Sequence, residues 1–133
     1  MNYILDTHAL IWALTDTGKL SSRVKKIVAE DDTSLIYVST ISLWEIAIKY
    51  GLKKIHLQGF SPQMIPALCE QSDYKILPVP VQLYATYHLL ENYFHRDPFD
   101  RLLIWQALNG NHTLISKDED IKQYKSIGLN VIW

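Results

Sequence analysis

The sequence predicts an α/β fold, a three-layer α/β/α sandwich around a central parallel sheet of about five strands. Short β-branched runs alternate with longer segments of helical periodicity along all 133 residues, and strands separated by helices pair in parallel through crossovers. The strand segments are apolar almost throughout, the pattern of strands covered on both faces. In such sheets ligands collect at the carboxyl ends of strands, where strand order reverses. The residues directly after each strand therefore say most about function.

The first strand is expected over Asn2–Leu5, followed by a helix over His8–Leu14. Ser21 caps a clearer helix, Ser22–Glu30, with Leu20, Val24, Ile27 and Val28 at helical spacing. A second strand, Ser34–Val38, leads into a helix over Thr40–Gly51, where Ile41, Trp44 and Ile48, continued by Leu52, mark an apolar stripe. An irregular basic stretch, Leu52–Phe60, comes next. Ser61-Pro62 combines a capping residue with a proline at the first helical position and opens a helix to about Gln71. The third strand is Lys75–Leu77. Helices are expected over Val81–Tyr93 and Pro98–Asn109, the second ended by Gly110. A strand at Thr113–Ile115, a short helix at Asp118–Lys125 and a strand at Asn130–Ile132 complete the chain.

One domain over residues 1–133 is expected, since folding at this size removes roughly two-thirds of the unfolded surface from water. Apolar residues make up 48% and charged residues 20%, an ordinary globular balance. With 13 basic and 14 acidic side chains the formal net charge is −1. The chain is therefore no polycation, and a nucleic-acid partner has to be held by a local patch. The single cysteine, Cys69, forbids an internal disulfide and a thiolate-rich metal site, and it suits a reducing compartment. The start, MNYILDTHALIWAL, lacks the basic flank of a signal peptide. No run approaches the ~20 apolar residues that span a bilayer. A cytoplasmic domain without membrane contact is the expectation.

Acids stand at the expected strand ends. Asp6 follows the first strand. Ser39 follows the second, with Glu45 in the next helix, and Asp118 follows the fourth after Ser116-Lys117. Asp97 and Asp100 open the preceding helix in HRDPFDRLLIWQA. Taken singly, most have a structural explanation. Asp6 would cap the next helix, and Asp97-Pro98-Phe99-Asp100 reads as an N-cap, a proline and a first-turn acid. Ser116-Lys117-Asp118-Glu119 matches a capping box, with acids favoured by the helix dipole. Glu45 differs because it lies inside the apolar stripe, where a lone buried carboxylate is costly unless paired or metal-bound. An i,i+4 ion pair with Lys49 is its alternative.

Taken together, Asp6, Glu45, Asp100 and Asp118 would meet at one mouth of a doubly wound sheet. Two charges ~5 Å apart at an effective dielectric of ~20 interact by roughly 3 kcal/mol. Such a cluster calls for a cation or for protonation of some members. Oxygen-only donors select Mg2+, with Mn2+ as a substitute, over zinc. An acid-lined site of this kind serves phosphodiester hydrolysis.

Four segments, ILDTHALIW, VSTISLWEIAIKYGLKK, HRDPFDRLLIWQA and LISKDEDIKQYKSIGLNVIW, resemble the PIN-domain family, and within it the VapC-type ribonuclease toxins of toxin–antitoxin pairs. The resemblance covers nearly the whole chain, and DTHALIW and HRDPFDRLL are its most specific parts. It implies a PIN-like sandwich, metal-dependent endoribonuclease activity on RNA, a cognate antitoxin protein that blocks the site, and a homodimer. Residue by residue, it implies that Asp6, Glu45, Asp100 and Asp118 are the catalytic, metal-binding acids. Thr7 and Ser116 would orient those acids or bound water. Asp97 would be a helix cap or a partner of the ligand Asp100, and Arg101 would balance the acids or touch phosphate.

The alternative is a non-catalytic α/β protein- or RNA-binding module whose acids are helix caps and ion pairs. A phosphotransferase of the haloacid dehalogenase type needs a second Asp two residues after the first, where this chain has His8. No glycine-rich loop supports nucleotide binding. For RNA, Lys49, Lys53, Lys54, His56, Arg96, Arg101 and Lys117 would form a basic rim around an acidic centre. The five histidines show no metal spacing; His8, near Asp6, and His95, before Arg96-Asp97, each read as an inert histidine or as one that approaches a substrate. Trp12, Trp44, Trp105 and Trp133 are expected mainly in the core, with an antitoxin groove as the second reading of Trp12.

Overall fold

The computed structural model describes residues 1–91 and 94–133. Five strands form one parallel sheet: β1 (Asn2–Leu5), β2 (Leu35–Ser39), β3 (Lys75–Leu77), β4 (Thr113–Ile115) and β5 (Asn130–Ile132), in spatial order β3-β2-β1-β4-β5. The chain begins at the centre and builds outward through β2 to β3. It then crosses back over β1 to lay down β4 and β5. Strand order therefore reverses between β1 and β4. Leu5 and Ile115 are register partners there, which sets Asp6 and Ser116 side by side. The Asp6 N–H donates to Ile115 O and the Ser116 N–H to Ile132 O, both at 3.0 Å, so the ladder continues one residue into the loops.

Seven α-helices flank the sheet among the described residues: α1 (Thr7–Thr15), α2 (Ser22–Glu30), α3 (Thr40–Gly51), α4 (Ile65–Gln71), α5 (Val81–Ala85), α6 (Pro98–Gly110) and α7 (Glu119–Lys122). Alternation along the strands divides the interior into two cores. Tyr3, Leu5, Ile36, Val38 and Ile115 pack with Leu10, Val24, Ile46, Ile65 and Cys69 on one side. Ile4, Leu114 and Val131 pack with Leu83, Leu103, Ile104, Ile121 and Tyr124 on the other. Helix α3 feeds both cores, Ile46 into the first and Ile41 into the second. Among the described residues no helix is long and apolar enough to cross a membrane.

The expected elements appear in order, and the differences have local causes. Strand β2 begins at Leu35 because a turn takes up Ser34, whose hydroxyl donates to Asp31 Oδ2 at 2.5 Å. The helix expected from Ser61 starts as a 3-10 turn, Pro62–Met64, and Pro66, which has no N–H, sits in the first turn of α4. Val81–Tyr93 is not one helix. Helix α5 stops at Ala85, where the Thr86 hydroxyl donates back to Gln82 O at 2.7 Å, and a 3-10 turn follows over Tyr87–Leu89. Asn92 and Tyr93 of that expected helix lie outside the described residues. Helix α6 runs through Gly110, where a Cβ would collide with the His112 ring, and left-handed Asn111 at φ 53° ends it. The last expected helix divides into α7 and a 3-10 turn, Gln123–Ile127, closed by Gly128 at φ 102°.

The apolar stripe of α3 is rotated from its expected position. The buried side chains of this helix are Ile41, Ser42, Glu45 and Ile46, whereas Trp44 and Leu52 are each 60% exposed. Trp44 is thus a surface residue packed edge-on against Phe99, not a core residue. Trp12, Trp105 and Trp133 are half-buried.

Arg101 serves neither expected role. It is 1% exposed, on the face of α6 turned toward the core. Nε donates to the Tyr87 hydroxyl at 3.0 Å, Nη1 to the Tyr124 hydroxyl at 2.8 Å and to His95 O at 3.4 Å, and Nη2 to Leu90 O. This guanidinium ties the segment from Tyr87 to His95 onto α6. Arg101→Met withdraws those donors from buried acceptors and is expected to cost about 3 kcal/mol, read as a lower urea midpoint with an unchanged slope.

Candidate active site

The crevice between the carboxyl ends of β1 and β4 is where the acids gather. Asp6 ends β1 and caps α1, its Oδ1 accepting from the Ala9 N–H at 2.7 Å. It is 4% exposed. Burial raises its pKa, the Ser116 hydroxyl, the Ala9 N–H and His8 oppose that rise, and the charge of Asp118 adds to it.

Asp118 caps α7. Its Oδ1 accepts from the Asp120 N–H at 2.7 Å and the Ile121 N–H at 3.3 Å. The sequence pattern suggests Ser116 for that cap, but Ser116 is fully buried at the end of β4 and accepts from the Asp118 N–H at 3.1 Å instead. The second oxygen of Asp118, Oδ2, stands 3.3 Å from His95 Nε2. Capping and facing the crevice are therefore compatible in one carboxylate, because each uses a different oxygen.

Glu45 reaches the same mouth from α3 and is 2% exposed. Its Oε1 lies 2.5 Å from the Thr7 hydroxyl, which is also 3.0 Å from Ser42 Oγ. A hydroxyl carries one proton, so with Thr7 donating to the carboxylate, Ser42 supplies the other bond. The second oxygen, Oε2, pairs with Lys49 Nζ. Asp97 caps α6, Oδ1 accepting from the N–H groups of Phe99 at 2.9 Å and Asp100 at 3.1 Å. Asp100 then stands in the first turn with no capping duty of its own. Burial, followed by the charges of Asp97, Glu45 and Asp6, pushes its carboxyl up to about 7 against the pull of His95.

His95, which the sequence leaves open between an inert histidine and one that approaches a substrate, stands among these acids. Its Nδ1 accepts from the Asp97 N–H at 3.3 Å, so the proton of the neutral ring sits on Nε2. That nitrogen is 2.8 Å from Asp100 Oδ2 and 3.3 Å from Asp118 Oδ2. Its N–H is aligned with neither oxygen, and among the described residues it makes no hydrogen bond. The nearest ligand atoms of His95, Asp100 and Asp118 lie within 4.8 Å of one another, the one such group among the described residues. The only signal in the sequence is the adjacency in His95-Arg96-Asp97 of an imidazole and a helix cap.

Five carboxyl groups, those of Asp6, Glu45, Asp97, Asp100 and Asp118, thus act on one another around Lys49 and His95. A carboxyl lifted to about 7 in part by its neighbours' charges marks uncompensated negative charge, the condition that a divalent cation relieves. A donor set dominated by carboxylate oxygens fits a hard ion. The basic rim is smaller than expected. Lys53, Lys54, His56, Arg96 and Lys117 are exposed, but Lys49 is drawn toward Glu45 and Arg101 into the core.

The sequence profile of the PIN domain family matches residues 3–127. The chain belongs to the PIN domain family. Among curated proteins none matches it. The fold of this PIN chain recurs in VapBC-1 from nontypeable Haemophilus influenzae, with 20% identity and a TM-score of 0.70 over 99% of this chain and 97% of that one. It recurs in VapBC2 from Rickettsia felis, solved with a DNA fragment from its promoter, with 19% identity and a TM-score of 0.67 over 99% and 98%. FitAcB from Neisseria gonorrhoeae shows 19% identity and a TM-score of 0.66 over 98% and 96%.

The raised pKa of Asp100 makes the stability of the metal-free PIN chain depend on pH. The folded state holds this proton up to about pH 7, and the unfolded state releases it near 3.8. Between these values the folded state binds more protons, so the Asp100 contribution to stability falls as pH rises. The loss is about 3 kcal/mol between about pH 5 and pH 8. In urea unfolding without metal, Asp100→Asn is expected to remove that part of the pH dependence and to be more stable than wild type at the higher pH.

Proposed function

We propose that this PIN chain is a metal-dependent endoribonuclease, the toxin of a toxin–antitoxin pair. On this reading it is a single domain over residues 1–133, works in the cytoplasm, forms a homodimer and is held in check by a cognate antitoxin protein. The observation that carries the reading is Asp100, a carboxyl that caps no helix, stands against three other acids and is pushed up to about 7. Capping alone accounts for Asp6, Asp97 and Asp118. It leaves the half-buried Asp100 unexplained, while Glu45 is matched by Lys49, and Asp100 is the acid that a binding module has least reason to keep. PIN membership supports the nuclease class. The resemblance to VapC-type toxins and the fold shared with chains of VapBC and FitAcB complexes support the toxin reading.

Asp6, Glu45, Asp100 and Asp118 would form the acidic site that takes Mg2+, or Mn2+ in its place. When bound, that ion supplies Lewis-acid activation of water and positive charge for a phosphodiester. The chain's own residues arrange the acids. Thr7 holds Glu45 by one oxygen. Ser116 bonds both the Asp6 carboxyl and the Asp118 N–H, coupling the two strand ends. Asp97 presents Asp100 by capping α6. Lys53, Lys54, Arg96 and Lys117 are the exposed cations available to the RNA backbone.

Thermal melting with and without millimolar Mn2+ tests the site before any substrate is chosen. An ion at a hundred times its Kd adds about 2.7 kcal/mol, roughly 10 °C for a domain of this size. That rise is expected in wild type and absent in Asp6→Asn. Cleavage of single-stranded RNA should require the metal and be lost in Asp6→Asn and Asp100→Asn. No metal-dependent rise in wild type would return the acids to caps and ion pairs.

A further inference from the structure

Lys49 does not extend into solvent as a rim lysine would. From one turn beyond Glu45 on α3 it folds back so that Nζ pairs with Glu45 Oε2. Its side chain is 27% exposed. A lysine carries an ammonium at neutral pH, and here Nζ donates to Glu45 Oε2. Glu45 is thus engaged at both oxygens, by Lys49 at one and the Thr7 hydroxyl at the other.

The opposite flank of the mouth is arranged differently. Asp100 and Asp118 converge on His95 with ligand atoms within 4.8 Å of one another. Asp6 acts on both Asp118 and Asp100, and Lys49, though its charge reaches Asp97 and Asp100, is bonded to Glu45. Glu45 therefore has a lysine bonded to it, whereas Asp6, Asp100 and Asp118 have no lysine or arginine paired with them among the described residues.

We propose that Lys49 is the resident cation of the Glu45 half, standing where a second divalent ion would sit, so that the site takes one divalent ion, on the Asp6–Asp100–Asp118 half. This rests on the reading of the mouth as a metal site. Paired ions in nuclease sites stand roughly 3.5 to 4 Å apart. An ion that close on the Glu45 side would have to expel the ammonium from its carboxylate. The i,i+4 spacing on a formed helix keeps Lys49 over Glu45, so the pairing is built into α3. A fixed ammonium also brings positive charge to a phosphate oxygen at no cost in metal.

Counting bound Mn2+ on the full chain by calorimetric titration and electron paramagnetic resonance tests this. Wild type is expected to bind one Mn2+ per chain with the spectrum of an isolated ion. Lys49→Met should bind two, with the broadening of a coupled pair, and Lys49→Arg should bind one. Two ions in wild type, or one in a Lys49→Met protein with native circular dichroism, would overturn the proposal and leave the metal site standing. No Mn2+ bound by wild type would overturn the metal site and the proposal with it. Should Lys49→Met fail to fold, Lys49→Gln takes its place. Should both fail, the wild-type spectrum alone decides between an isolated ion and a coupled pair.

Discussion

Parallel pairing of β1 with β4 is the constraint on which the site depends. The two strands are far apart in sequence, and the chain leaves β1 toward β2 but leaves β4 toward β5, so the loops at their carboxyl ends part and open a crevice. Register decides what enters it. With Leu5 opposite Ile115, both apolar side chains face the same core and both following residues, Asp6 and Ser116, arrive at the same level. A slip of one residue would turn Leu5 or Ile115 to the wrong face and part Asp6 from Ser116 and Asp118. The packing of the sheet and the spacing of the acids are thus one constraint.

Charge in the crevice is compensated in three ways, and the differences among the acids follow from them. Asp6, Asp97 and Asp118 sit at helix N-termini, where backbone amides and the helix dipole favour a carboxylate. Glu45 lies in the body of a helix and takes a lysine and a threonine hydroxyl instead. Asp100 has the weakest compensation, since the amides of its own helix start are spent on Asp97 and its neighbour His95 is misaligned for a hydrogen bond. Burial and the charges of Asp97, Glu45 and Asp6 accordingly push its carboxyl up to about 7.

Strand positions and the helices Ser22–Glu30 and Thr40–Gly51 were legible in the sequence because each rests on local pattern, and Asp6, Glu45, Asp100 and Asp118 were singled out by their place after a strand, inside an apolar stripe or within the PIN-like segments. What was not legible depends on distant partners. In α3 the apolar residues Ile41, Trp44 and Ile48 suggest one face, yet the helix is turned so that Ser42 and Glu45 point inward. The reason is Thr7, more than thirty residues away. The role of Arg101 is set by carbonyls and hydroxyls from three separate segments. His95 gains its place only once α6 and the loop after β4 are side by side. The either-or of cap and site, natural in a sequence, dissolves when the two oxygens of Asp118 are seen to face different ways.

Arg101 also bears on how the chain can vary. A single guanidinium holds Leu90 O and His95 O, the two ends of a short connection at the border of the crevice, and it does so from the residue next to Asp100. Whatever replaced Arg101 would have to hold both carbonyls or give up the placing of His95 beside Asp100. Variation at the border of the crevice is thereby bound to variation at its centre.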